Sequence, residues 1–336
     1  MGYIKRQPVD QFSIQNRGGR GVKGMTRRED DYAETMFIAS SHDSIMFYTT
    51  RGRAYRLKGY EIPEGSKTSK GSNIINILPL ENGEKVSAMI QVPKDDEGMY
   101  LCMVTRKGLI KRSSLDIYRN TRRNGIIAVT LREDDELAWV KLTSGNDDLL
   151  VATKKGMCIR FSENDARPLG RTASGVKAIT LKDGDEVVGM SVMKESGKLL
   201  TVSETGFGRI SDNDNYRLQS RGGKGLKNYH IEKYGEVAAI SDINEEDDII
   251  LISQDGIIIR IPATAVRVCA RPSKGVKVMR LGEGDRVVTL STTEHDEDEI
   301  NGEVEDDGTA TEGAGDTSGD NEDIGTEEVN ENTSEE

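Results

Sequence analysis

Six glycines constrain this chain more than any other feature. They fall at Gly21, Gly71, Gly125, Gly175, Gly225 and Gly275, each opening an apolar run, at spacings of 50, 54, 50, 50 and 50 residues. A second pattern, Thr/Ser-x-x-Gly-x-x-x-Arg, runs Thr49-x-x-Gly52 to Arg56, Thr105-x-x-Gly108 to Arg112, Thr153-x-x-Gly156 to Arg160 and Ser253-x-x-Gly256 to Arg260. It also occurs at Ser203-x-x-Gly206, with Arg209 one place early. The two are locked 19 residues apart in four units and 17 apart between Gly108 and Gly125. A fixed period of this length marks a repeat architecture, in which no single unit can bury its own faces.

Each unit reads as four strands. In one, Leu149–Thr153 is turned by Lys154-Lys155-Gly156 and returns as Met157–Phe161. A glycine there suits a hairpin that needs positive φ. Val176–Leu181 reads as a third strand, Lys182-Asp183-Gly184-Asp185 as a turn, and Val187–Met193 as the fourth strand. Asn82-Gly83 and Glu283-Gly284 mark the same last turn, but Glu133-Asp134-Asp135 stands there in another unit and predicts a different turn chemistry. Six four-stranded units imply an all-β propeller-like ring, expected over residues 1–293. Gly2-Tyr3-Ile4-Lys5-Arg6 matches Gly108-Leu109-Ile110-Lys111-Arg112, so the sequence begins inside a repeat and reads as part of a longer protein.

Charge divides the chain in two. Residues 294–336 hold 19 Asp or Glu and no Lys or Arg, so this segment is expected to be a disordered acidic tail. Residues 1–293 hold 46 basic against 39 acidic side chains, a net of +7 beneath the overall −12. A basic body suits a polyanionic partner, and the tail would compete with that partner. The three cysteines and three histidines are scattered, with no CxxC, which points to neither a metal site nor disulfides and fits a reducing cytoplasm. No apolar run approaches the roughly 20 residues of a membrane helix.

The residues before each repeat glycine carry the candidate site. Gln15-Asn16-Arg17-Gly18-Gly19-Arg20-Gly21 returns as Gln219-Ser220-Arg221-Gly222-Gly223-Lys224-Gly225. The other four loops are Lys67-Thr68-Ser69-Lys70-Gly71, Thr121-Arg122-Arg123-Asn124-Gly125, Arg171-Thr172-Ala173-Ser174-Gly175 and Arg271-Pro272-Ser273-Lys274-Gly275. Lys23, Lys177, Lys227 and Lys277 follow two places after a repeat glycine. Glycines let backbone amides approach a phosphate, and flanking guanidiniums bind its oxygens. Neither feature reads bases, so the loops predict sequence-independent binding to double-stranded DNA, bent around a basic rim and weakened steeply by salt.

Arg56, Arg112, Arg160 and Arg260 are expected to be structural strand-end charges or rim contacts. The pairs Asp134-Asp135, Asp147-Asp148 and Asp247-Asp248 read as solvated charges, and Trp139 reads as core packing. Aromatic residues are too few for single-strand binding by stacking. No catalytic group and no cofactor site can be nominated.

The motif Gln-x-Arg-Gly-Gly-Arg-Gly at the head of a six-repeat β array resembles the box found in the family of gyrase A C-terminal domains. Gly2-Tyr3-Ile4-Lys5-Arg6 and Arg51-Gly52-Arg53-Ala54-Tyr55 resemble that family too, so the likeness covers residues 2 to about 293. The resemblance implies a six-bladed β-pinwheel with strands exchanged between blades, which wraps DNA with positive handedness and supports ATP-dependent negative supercoiling. It implies partners in the N-terminal part of gyrase A and in gyrase B, within an A2B2 enzyme, and a cytoplasmic, nucleoid-associated location. It places the box on Gln15, Arg17, Gly18, Gly19, Arg20 and Gly21, with Asn16 where the family usually has a base, and leaves 219–225 as a second, supporting copy. The alternative is the C-terminal domain of the A-type chain of topoisomerase IV, which is similar but lacks an intact box. A WD40-like protein scaffold lacks its Gly-His and Trp-Asp signatures here, and a propeller enzyme lacks converging catalytic groups.

Overall fold

The computed structural model describes residues 2–8, 22–23, 39–66, 69–92, 97–121 and 124–294, with only the backbone of 22–23 and 294. The expected acidic tail therefore lies, from residue 295 onward, outside the described residues. Strands β1 (Tyr3–Ile4) and β2 (Val22–Lys23) come from the first repeat. The second supplies β3 (Ser44–Thr49), β4 (Arg53–Lys58), β5 (Ser72–Asn73) and β6 (Val86–Val92), and the third β7 (Tyr100–Thr105), β8 (Leu109–Ser114), β9 (Ile126–Ile127) and β10 (Leu137–Thr143). The fourth gives β11 (Asp148–Thr153), β12 (Met157–Ser162), β13 (Val176–Lys177) and β14 (Val187–Met193). The fifth gives β15 (Lys198–Ser203), β16 (Phe207–Asp212), β17 (Leu226–Lys227) and β18 (Val237–Ile243). The sixth gives β19 (Asp247–Ser253), β20 (Ile257–Pro262), β21 (Val276–Lys277) and β22 (Val287–Glu294).

These strands form antiparallel sheets ordered β6-β3-β4-β9, β10-β7-β8-β13, β14-β11-β12-β17, β18-β15-β16-β21 and β22-β19-β20-β2. The third strand of every repeat thus completes the sheet of the repeat before it. The exchange also closes the ring, because β2 from the first repeat pairs with β20 in the sixth, Val22 opposite Ile258 and Lys23 opposite Ile257. The long fourth strands β6, β10, β14, β18 and β22 pack successively against one another, which makes them the inner strands and the exchanged pairs the outer edge.

Two expectations from the sequence need correcting. The fold is an all-β propeller, but the described residues form five four-stranded blades, not six. The first sector shows only β1 paired with β5 among the described residues, Tyr3 opposite Asn73. Residues 24–38, where a fourth strand would fall, lie outside the described residues. The third strand is also shorter than the apolar run that suggested it. Only Val176–Lys177 pairs, whereas Ala178 and Ile179 turn inward and are buried. The Ala178 amide donates to the Gly108 carbonyl of the preceding repeat at 2.8 Å.

That crossing explains the paired glycines. Gly156 sits at φ +79°, where a Cβ would lie 2.5 Å from the Tyr229 carbonyl oxygen; at Gly225, φ +74°, it would lie 2.2 Å from that of Cys158. Each glycine makes room for backbone from a neighbouring repeat, so the 19-residue lock records strand exchange between blades as well as turns within them. The turn expected to differ, Glu133-Asp134-Asp135, is the same turn. Asp134 takes φ +56° where Gly184 has +67°, and Asp135 N–H closes onto Arg132 as Asp185 N–H closes onto Lys182.

The core lies between blades. Leu149 and Val151 pack toward the third blade with Cys102, Val104 and Ile110, while Leu150 and Ala152 pack toward the fifth with Leu199 and Tyr229. A strand buried on both faces reads as an unbroken apolar run, which is why these hairpins were so visible in the sequence. Trp139 packs against the first of these clusters.

Burial pushes the Cys102 and Cys158 thiols up to about 12. Unfolded thiols ionise near 8.5. The folded chain therefore keeps two protons that the unfolded chain releases, so their stabilisation is complete below about pH 8.5 and is lost as pH rises toward 12. Lys111 opposes this: its burial, and the nearby Arg171 charge, lower it to about 8, so its contribution rises with pH above that point. Urea unfolding from pH 9 to 10 should show the wild-type chain losing more stability than Cys102→Ala with Cys158→Ala, which keeps only the loss from the tyrosines that burial raises, Tyr48, Tyr55, Tyr118, Tyr216 and Tyr229. An equal loss in both would refute the assignment.

Candidate nucleic-acid interface

The outer strands put one recurring position on the ring's edge: Lys23, Asn73, Ile127, Lys177, Lys227 and Lys277. Lys177, Lys227 and Lys277 are all exposed on consecutive blades. Lys177 has no side-chain partner among the described residues, and Lys227 Nζ lies 3.6 Å from Glu232. Lys277 donates to the Thr205 carbonyl at 2.7 Å and stands 4.6 Å above the Phe207 ring, with Lys274 over the same ring at 4.1 Å. Burial and the Lys274 charge hold the Lys277 ammonium below its ordinary pKa. Lys70 stands 3.9 Å over the Tyr3 ring.

The basic residues four places before the repeat glycines divide by role. Arg221 donates from Nε to the Asp165 carbonyl at 2.9 Å and from Nη1 to that of Lys177 at 3.0 Å. Arg271 repeats this one unit later, on Asn215 at 2.7 Å and Lys227 at 2.7 Å. Both therefore staple an exchanged strand to the preceding repeat and keep only their remaining N–H groups for a ligand. Arg171 is exposed, with no side-chain partner among the described residues. Its carbonyl accepts from the buried Lys111 ammonium.

The loop at 219–225 is fixed through its backbone. Gly222 N–H donates to Ala178, while Thr180 donates from its amide to Gly223 at 2.8 Å and from its hydroxyl to Gly222 at 2.7 Å. The amides of Gly223 and Lys224 find no acceptor among the described residues, and Lys224 is exposed. A held loop with open amides and cations beside them is built to receive an anion. Gln15, Arg17, Gly18, Gly19, Arg20, Gly21, Lys67, Arg122 and Arg123 lie outside the described residues, as does the Lys23 side chain.

The arginines after the hairpin glycines are structural. Arg260 pairs with Asp248 at 2.8 Å with both side chains buried, and Arg160 pairs with Asp148 at 2.8 Å. Arg112 lies 2.8 Å from Glu163, also buried. Asp148 and Asp248, read from the sequence as solvated, are instead the partners of these arginines. Asp135 is buried too, accepting from the Lys107 and Glu136 amides. A +1 at the end of a strand gives no hint of its partner, which for Arg160 and Arg260 lies twelve residues back on the paired strand and for Arg112 lies in the next repeat.

The sequence reading missed a further row. Arg167, Arg217 and Arg267 stand eight places before their glycines, exposed and without side-chain partners among the described residues. Their 50-residue recurrence was visible, but the glycine-rich motif drew the reading to the nearer positions.

The described residues form a strand-exchanged propeller with cations recurring along its outer edge. The sequence matches the family model described as DNA gyrase C-terminal domain, beta-propeller, in six segments: 2–40, 43–93, 100–144, 147–192, 197–244 and 247–294. The chain belongs to that family. The DNA gyrase A protein of Clostridium acetobutylicum is 48% identical over 172 residues, covering 51% of this chain and 21% of that protein. That of Staphylococcus aureus is 49% identical over 173 residues, covering 51% and 20%. The chain thus spans about a fifth of the length of the curated relatives it matches. A solved DNA gyrase A C-terminal domain superposes with TM-score 0.79 at 25% identity, covering 87% of this chain and 96% of that one. The C-terminal domain of DNA topoisomerase IV shares the fold, with TM-score 0.67 at 23% identity over 81% and 85%.

Proposed function

We propose that this chain bends and wraps duplex DNA around its outer edge, with positive handedness, as the non-catalytic C-terminal part of a gyrase A protein. The observation that carries the reading is the run of exposed lysines on consecutive outer strands, Lys177, Lys227 and Lys277, which strand exchange continues to Lys23 on the last blade. Neutralising phosphates releases counterions, and each added contact along a curved edge offsets part of the bending cost, on the order of 1–6 kcal/mol per 20–30 base pairs. Contacts of this kind fix register without reading bases. In the parent enzyme, DNA cleavage and ATP hydrolysis would fall to gyrase B together with the rest of gyrase A, in an A2B2 assembly in the bacterial cytoplasm. Wrapping itself draws on no cofactor. Six sectors, the first completed by residues outside those described, would make up the ring over residues 1–293, and the acidic segment 294–336 would compete with DNA for the edge.

The test is topological. The chain is incubated with nicked circular DNA at low salt, the nick is sealed, the protein is stripped, and the linking number is read against a protein-free control. A positive shift is expected, larger after truncation beyond Glu294. Tight binding without a shift would move the reading to the topoisomerase IV type, and an equal shift after truncation would reduce the tail to a solubilising end.

A further inference from the structure

Beside the lysine edge runs a second row with mixed chemistry. Each exposed arginine, Arg167, Arg217 and Arg267, is followed by an exposed apolar residue, Pro168, Leu218 or Val268. Leu218 is 57% exposed and Val268 42%. A single exposed leucine means nothing. Here the exposure recurs at one position of three successive repeats, and the backbone is fixed there each time. Pro168, Leu218 and Val268 each form a parallel bridge to the second strand of the preceding blade, opposite Arg112, Arg160 and Ile210. The apolar side chains are thus held outward by a rigid sheet rather than left on a loose loop. The third repeat shows no such bridge among the described residues, and in the second an acid takes the place of the apolar residue. There the bridge residue is Glu64, opposite Arg6, and its carboxylate lies 3.2 Å from the Arg6 guanidinium.

Resting on the DNA-wrapping reading, we propose that Leu218 and Val268, with Pro168, are apolar wedges that press into the minor groove of wrapped duplex DNA while the adjoining arginines bind the flanking phosphates. Charge selects the occupant. An unpaired guanidinium beside each apolar residue suits a polyanion that also offers an apolar floor. A duplex does so where its groove opens, and apolar side chains next to arginine are a recurring means of rolling base steps apart and bending DNA. In the second repeat the wedge is replaced by Glu64, an acid paired with Arg6 rather than an apolar group beside a free guanidinium. The two halves of each pair act through different physics. The arginine releases counterions, and the wedge releases water from apolar surface without moving an ion.

That difference supplies the test. Leu218→Ser with Val268→Ser is compared with Arg217→Ala and Arg267→Ala in the full chain, using a short end-labelled duplex whose end-to-end distance reports bending. Affinity is measured across salt concentrations. The serine variant should bind about tenfold more weakly at every salt concentration, with an unchanged slope of log K against log salt and a smaller bend. The alanine variant should lose about two units of that slope. A serine variant that bends and binds like the wild type, or that loses slope, overturns the wedge. The wrapping reading is judged separately: if the wild-type chain shifts no linking number, that reading fails, whereas a wild-type shift with an unaltered serine variant removes only the wedge.

Discussion

Replacing Arg17 and Arg20 with alanine is expected to abolish the linking shift that the wild-type chain produces. Affinity for duplex DNA should fall on the order of 100- to 10,000-fold at low salt, from two charge-assisted phosphate contacts of roughly 1.5–3 kcal/mol each. The slope of log K against log salt should lessen by about two. These arginines belong to the segment directly before β2, and β2 completes the last blade rather than the first. In ring order, the outer strands of the third to sixth blades carry Lys177, Lys227, Lys277 and Lys23, while the two remaining sectors carry Asn73 and Ile127. The box thus adjoins one end of an unbroken basic arc. On the proposed wrapping, losing it would remove a contact at the end of that arc, so wrapping should suffer more than binding. A doubly substituted chain that keeps its thermal midpoint and still shifts the linking number would remove the box from the site.

The hairpins and the period could be read directly, because both faces of these strands are buried and because positive φ at the turns demands glycine or, at Asp134, a residue that tolerates it. Strand exchange came only through the family resemblance, not from the pattern itself. Val176-Lys177 looks the same whether it pairs within its own repeat or with Leu109-Ile110 of the one before, since a local pattern carries no address for a partner. The site shows the same limit. A basic residue four places before a glycine marked the rim loops correctly as loops, but nothing local separates Arg171, which faces solvent, from Arg221, which turns back onto the Asp165 and Lys177 carbonyls. Those carbonyls are 56 and 44 residues away. The periodicity names equivalent positions, whereas the role at each depends on what the preceding blade offers.

Glu163 shows how much stability rests on such an offer. The equivalent positions hold Gly59, Leu115, Asn213 and Ala263, so the carboxylate is peculiar to one unit. It is fully buried, and both of its oxygens are engaged. Oε1 accepts from the Gly145 and Asp147 amides, both at 2.8 Å, and Oε2 accepts from the Thr143 hydroxyl at 2.7 Å. Arg112 Nε lies 2.8 Å from Oε2, in a geometry that makes the contact an ion pair rather than an aligned hydrogen bond. The Arg112 guanidinium also donates to Asn164 at 2.8 Å and stacks 4.0 Å over the Tyr100 ring. One carboxylate thereby ties the turn between β10 and β11 to the third blade. Glu163→Ala would leave a buried guanidinium without its counter-charge and three donors without an acceptor, a loss of about 3–5 kcal/mol in urea unfolding. Glu163→Leu combined with Arg112→Met should recover only the part due to the stranded guanidinium, because the Gly145 and Asp147 amides and the Thr143 hydroxyl still lack an acceptor. If Glu163→Ala unfolds within about 1 kcal/mol of the wild type, water reaches the site and the pair is not the anchor of this blade.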